Sequence, residues 1–151
     1  MKKRDFVREF QYITDNKERR TELKDLFRRH EENVNRRNMI KYHILGDEDT
    51  DIGGVDYSAV RTQTSNISDL SSQIIRREQE LINLEYEIGL VEMLLASIRG
   101  KKKERDLIIV TEYLIQEKPR DLVMNKVYVY DDSYFRRIVN QIIDKMIKIL
   151  V

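Results

Sequence analysis

Cysteine and tryptophan are absent from the 151 residues, proline occurs once, at Pro119, and glycine five times. Without cysteine, disulfide frameworks and thiolate metal sites are excluded. A single proline and so few glycines leave little from which to build the many tight turns of a β-sandwich, so an all-α fold is expected. No run approaches the roughly 18 uninterrupted apolar residues of a membrane span, so no membrane partner is expected. Residues 1–13 are charged throughout and lack the apolar stretch of a cleavable signal, which makes a cytoplasmic location the default.

Nor is there an excess of either charge sign, with 28 basic and 27 acidic residues. The near-neutral total hides an uneven distribution. Residues 1–44 carry 13 basic and 8 acidic side chains, residues 45–98 carry 3 and 11, and residues 99–151 carry 12 and 8. Two basic ends therefore flank an acidic centre. Such blocks often serve solubility in helical proteins rich in Lys and Glu. Basic surfaces also neutralise phosphates and release counterions, which supplies most non-specific affinity for DNA.

In the acidic centre Ile67, Ile74, Leu81, Ile88 and Leu95 recur every seven residues, with Leu70, Arg77, Leu84, Val91 and Ile98 three places behind. That heptad pattern predicts one long coiled-coil-like helix from about Ile67 to Arg99, closed by Gly100 as a left-handed cap. In a parallel dimer Glu78, Glu80, Glu85, Glu87 and Glu92 would face like charges. The basic N-terminal block, with Arg19, Arg20, Arg28, Arg29, Arg36 and Arg37 beside Leu23, Leu26, Phe27, Val34, Ile40 and Ile44, is the better match. An antiparallel N-terminal hairpin within the chain is expected. The additional Ile75, Ile82, Tyr86 and Met93 widen the apolar face toward a bundle of three or four helices, so a homo-oligomer is expected as well. Upstream, Phe6, Phe10 and Ile13 predict a short first helix, and Asp15 with Glu18 a capping box for the long helix after it. Residues 46–66, rich in Asp, Ser, Thr and Gly, read as a linker.

The C-terminal third carries three helical patterns. Leu107, Ile108, Val110, Tyr113, Leu114 and Ile115 form the first, which Lys118-Pro119 closes. Pro119 opens a short second helix as a first-turn residue, with Leu122 and Met124 turned toward its neighbours. Asp131 caps the third helix, where Phe135, Ile138, Ile142 and Met146 make an apolar stripe widened by Val139 and Ile143. Its other face offers Ser133, Tyr134, Arg136, Arg137, Asn140 and Gln141. Arg pairs bidentately with guanine and Asn or Gln with adenine, each good pair adding about 1–3 kcal/mol of discrimination. A polar face on any C-terminal helix also contains Arg and Asn. The three-helix context and the basic run before it favour DNA reading, with Lys101, Lys102, Lys103, Lys118 and Arg120 as phosphate contacts.

From about Leu81 to Leu150 the chain resembles the small phage transcriptional regulators of the RinA and ArpU type, whose C-terminal part is similar to the promoter-reading region 4 of sigma factors. Tyr130 and Asp131 fill the places of the residue before the cap and of the cap itself, Phe135 the buried one, Arg137 the arginine, and Ile142, Ile143 and Met146 the aliphatic end. Asn125 and Val129 depart from the family's small residue in the second helix and its turn glycine. The resemblance implies a helical oligomerisation region over residues 1–99 and a helix-turn-helix DNA-binding domain over residues 100–151. It implies a sequence-specific activator of phage late genes that contacts host RNA polymerase in the bacterial cell. A small terminase-like DNA-packaging component and a structural coiled-coil adaptor are the alternatives.

Other patterns carry little chemistry. Asp47, Asp49 and Asp51 begin like a calcium loop, but Ile52 and Ser58 occupy the glycine and glutamate positions. His30 and His43 lack helical-pair spacing, and Gly53-Gly54 is followed by no Gly-Lys-Ser or Gly-Lys-Thr. Glu85 and Glu87 fall on different sides of a helix. No enzyme, metal or cofactor is expected.

Overall fold

The computed structural model describes residues 6–44 and 65–151, without the side chains of residues 43–44 and 65–69. The Asp47/Asp49/Asp51 run, Gly53-Gly54, the His43 and Ile67 side chains and most of the expected linker lie outside the described residues. Every regular element among the described residues is helical: α1 (Phe6–Gln11), α2 (Asn16–Arg28), α3 (His30–Ile44), α4 (Ser65–Ala96), α5 (Lys103–Ile108), a π-helical segment (Ile109–Ile115) that continues α5, α6 (Arg120–Lys126) and α7 (Asp132–Leu150).

Asp15 caps α2 by accepting the Lys17 N–H at 3.0 Å. The single long helix expected after it breaks at Arg29, whose backbone leaves helical geometry (φ −87°, ψ 2°). At the break the Arg29 side chain reaches across to α4 and α1. It donates from Nε and Nη2 to Glu87 at 2.7 and 2.9 Å and lies over the Phe6 ring at 5.7 Å. Asn33 adds a third donor to Glu87 at 3.1 Å. Further along α3, Arg36 meets Glu80 at 2.7 Å and Lys41 meets Glu85 at 2.8 Å. Three ion pairs, from Arg29 at the head of α3 and from Arg36 and Lys41 within it, thus join this segment to α4.

Only part of the expected charge match forms. Arg20 pairs with Asp144 of α7, Arg28 with Asp25 and Glu117, and the Arg19 Nε donates to the Ile13 carbonyl at 2.6 Å. Arg37 donates to Asn38. The heptad seam is likewise covered unevenly. Ile88, Val91 and Ile98 are buried and Leu81, Leu84 and Leu95 half-buried, whereas Leu70 and Ile74 are exposed. The covering helix α3 has 15 residues against 32 in α4, too few to shield the whole stripe. Helix α4 also ends at Ala96, short of the expected Arg99; Gly100 is left-handed (φ 102°) but stands in the turn beyond, its carbonyl accepting the Lys103 N–H.

Burial joins the two ends of the chain. Phe6, Phe10, Leu23, Leu26 and Phe27 share one continuous apolar cluster with Val91, Leu94, Ile109, Val110, Phe135, Ile143 and Leu150. Removing side chains of this size from water contributes about 1.5–3 kcal/mol each. That contribution, rather than the i,i+4 pairs of the individual helices, holds α1 and α2 against α7.

Candidate functional site

Helix α7 begins at Asp131, in extended geometry (φ −109°, ψ 121°), whose carboxylate accepts the Ser133 N–H at 3.2 Å. Its inner face, from Phe135 through Ile138, Val139, Ile142, Ile143, Met146 and Ile147 to Leu150, is buried. Phe135 meets Tyr113 of the π segment edge-on, with ring centroids 5.1 Å apart. This contact and the Arg20–Asp144 pair, made through two bonds of 2.8 and 2.7 Å, set the rotation of α7 about its axis.

The connection into α7 is a Schellman-type close. Val127 caps α6 and Tyr128 adopts a left-handed conformation (φ 60°). The Val129 N–H donates to the Met124 carbonyl at 2.9 Å and the Tyr128 N–H to Asn125 at 3.3 Å, the pair of bonds that terminates a helix with a left-handed residue. Val129 and Met124, the two ends of the 2.9 Å bond, are both buried. The turn therefore forms without a glycine, at Tyr128 rather than at Val129. Met124 is buried as expected, whereas Leu122 is exposed and Val123 and Val127 face the core instead. Pro119 sits at the N-cap (φ −53°, ψ 138°), one place before the expected first turn, and its carbonyl accepts the Val123 N–H.

Glu112, in the π segment, organises this region. Its nearly buried carboxylate takes Lys118 Nζ at 2.8 Å and Lys126 Nζ at 2.7 Å, tying the π segment to the turn before α6 and to the last residue of α6. The two lysine bonds hold its carboxyl below the usual glutamate range. Lys118, expected at a phosphate, is thus engaged within the fold. A glutamate inside the apolar run from Leu107 to Ile115 was the available sequence signal for this clamp.

The expected reading residues divide between two surfaces. Ser133, Tyr134, Arg137 and Gln141 are exposed on the side of α7 away from the core. Arg136 and Asn140 line a cleft of about 380 Å³ against α2, together with Lys17, Arg20, Lys24 and Arg120. No family model, curated protein or solved structure matches the chain. Its chemistry is therefore read from geometry. Asp132 is the one carboxylate lining the cleft, 3.5 Å from Arg120, and Arg20 is balanced by Asp144. Among the described residues Lys17, Lys24 and Arg136 have no carboxylate within ion-pair distance. The Lys24 ammonium is held below the usual lysine range, first by burial and then by Arg28, Arg20 and Arg136.

Lys101 and Lys102 are exposed in the turn between α4 and α5, and Lys103 is exposed at the first residue of α5. That turn lies along the second half of α7, where Ser97, Arg99 and Asp106 share a groove with Ile142, Lys145 and Ile149. The lysine triplet and the reading residues therefore mark different ends of α7. Sequence reasoning missed Lys17, Thr21 and Lys24, whose spacing along α2 puts them on one helical row. Nothing in the sequence indicates that this row faces α7.

Proposed function

We propose that this protein is a sequence-specific duplex-DNA-binding regulator of transcription in which α6, the Tyr128 turn and α7 act as a helix-turn-helix and α7 enters the major groove. The observation that carries the reading is the outer face of the first turns of α7. Ser133, Tyr134, Arg137 and Gln141 present donors and an aromatic edge to solvent, while Phe135, Ile138 and Val139 anchor the opposite face. A rigidly held helix with free donors near its N-terminus is what base-edge recognition requires. Arg136 and Asn140, beside α2, fall at the border of that face and are assigned to its flank.

By its resemblance to RinA- and ArpU-type regulators, the protein is proposed to activate phage late genes and to contact host RNA polymerase in the bacterial cytoplasm. The ion pairs that join α3 to α4 support the hairpin part of that layout. Self-association is assigned to α4, where Ile75, Ile82 and Met93 stand exposed at helical spacing on the side away from α3.

Mobility shift with phage promoter segments tests the proposal. The wild type is expected to prefer one segment and to lose affinity by orders of magnitude between about 50 and 200 mM salt if six or more phosphates are contacted. Arg137→Ala is expected to relax the preference at one base position by about 1–3 kcal/mol. Equal affinity for all duplexes would reduce α7 to a backbone contact. A ring of many subunits in solution would instead favour the packaging component.

A further inference from the structure

The cleft between α2 and α7 has a composition that the fold alone does not account for. Five cationic side chains line it, and the two carboxylates that answer them, Asp132 and Asp144, are taken up by Arg120 and Arg20. Lys17 and Lys24 stand about 10 Å apart along α2, at 1.5 Å per residue, and Thr21 lies between them on the same row. Arg136 and Asn140 face this row from α7, and Arg120 closes one end. Lys17, Lys24 and Arg136 gather here with no carboxylate partner among the described residues, although like charges in a partly dehydrated cleft repel one another and destabilise the fold. An external anion reverses that repulsion.

We infer that α2 is part of the nucleic-acid surface: the cleft holds the sugar-phosphate backbone flanking the groove that α7 reads, with Lys17, Thr21 and Lys24 on one wall and Arg136, Asn140 and Arg120 on the other. The inference rests on the proposed role of α7, because the cleft adjoins the reading face and shares its first turns. It extends that role to named residues of the N-terminal region, for which the sequence indicated a basic block and a packing partner for the acidic helix but no individual DNA contacts. An extended polyanion fits better than a compact one, since Lys17 and Lys24 are spread about 10 Å along the cleft, at 1.5 Å per residue. Beyond Lys24 the neighbouring recess is lined by Arg28, Glu117 and Lys118, and its two cations are paired within the fold. The Lys24 ammonium is disfavoured first by its burial in the cleft and then by the three arginines around it. Phosphodiester oxygens, carried at regular intervals along a strand, supply the compensating charge and accept from the lysines, the Thr21 hydroxyl and the arginine forks.

The test uses the full chain as wild type, as K17Q/K24Q and as R136Q, titrated with the preferred duplex over a range of salt and separately with tripolyphosphate. Each lost phosphate contact lowers the slope of log affinity against log salt by about 0.9, so the double variant is expected to lose about 1.8. Between about 50 and 200 mM salt the wild type then falls roughly tenfold further than the variant. Thermal melting serves as the folding control, and K24Q is expected to melt no lower than wild type because it removes a repelled charge. Tripolyphosphate is expected to bind only at millimolar concentration, which supports an extended backbone over a small phosphate ligand. Micromolar tripolyphosphate binding with an unchanged duplex slope would overturn the inference. An unchanged slope while R137A still relaxes sequence preference removes the cleft and leaves the α7 reading in place. A wild type that binds no duplex at low salt removes both.

Discussion

Glu112→Gln tests the clamp that positions α6 and the turn before α7. The wild-type carboxylate is nearly buried and receives two ammonium groups, at 2.8 Å from Lys118 and 2.7 Å from Lys126. A hydrogen bond to a charged group contributes about 1.5–3 kcal/mol. The lysine side chains remain 41% and 54% exposed, so water screens both attractions and competes for the freed ammonium groups. Glutamine keeps the shape and one neutral acceptor. A net loss of about 2 kcal/mol is expected, which for a chain of this length lowers the melting temperature by about 4–8 °C. The pH dependence makes the test specific. Because the lysines depress the Glu112 pKa, its contribution is complete above the ordinary glutamate value of about 4.3 and is lost as pH falls through the lower native value. Melting followed by circular dichroism should show the full deficit at neutral pH and a smaller one near pH 3. A variant as stable as wild type at neutral pH, or a deficit that persists undiminished in acid, refutes the clamp.

Phe135→Ala removes a fully buried ring and its edge contact with Tyr113, and chemical denaturation should show a loss of about 3–5 kcal/mol. Tyr128→Gly relieves a left-handed side chain, worth about 1–2 kcal/mol, against the unfolded-state entropy of glycine of about 0.5–1 kcal/mol; a net gain of about 0.5–1 kcal/mol is expected, and a loss would mean that the tyrosine ring has a structural contact of its own. Glu87→Ala leaves Arg29 and Asn33 without their shared acceptor, and urea unfolding followed by the far-ultraviolet helical signal should show a loss of about 2–4 kcal/mol.

The features that were legible in the sequence are those set by neighbours along the chain. Asp131 as a cap, the buried stripe of α7 from Phe135 to Met146 and the start of α2 after Asp15 each follow from side chains acting on backbone within a turn or two. The break at Arg29 was not legible, and the bond that Arg29 makes there is to Glu87, distant in sequence and on another helix. The exchange of Leu122 for Val123 as an inward residue reflects a seven-residue helix too short to show a period of its own. The heptads of α4 correctly mark an apolar stripe but say nothing of the length of its cover. For the candidate site, the donors of α7 were visible as a list of residue types. Their division into an outer face and a cleft wall depends on α2, and pairings such as Arg20–Asp144 leave no trace in local pattern.

The continuous core has a consequence for the exposed run Lys101–Lys103, which offers trypsin an accessible stretch of backbone. Cutting there would sever the peptide without releasing either piece, because the phenylalanines of α1 and α2 stay wedged against the aliphatic side of α7. The nicked protein should migrate as an intact particle until denatured, a fragment complementation that a free-standing C-terminal reader would not display.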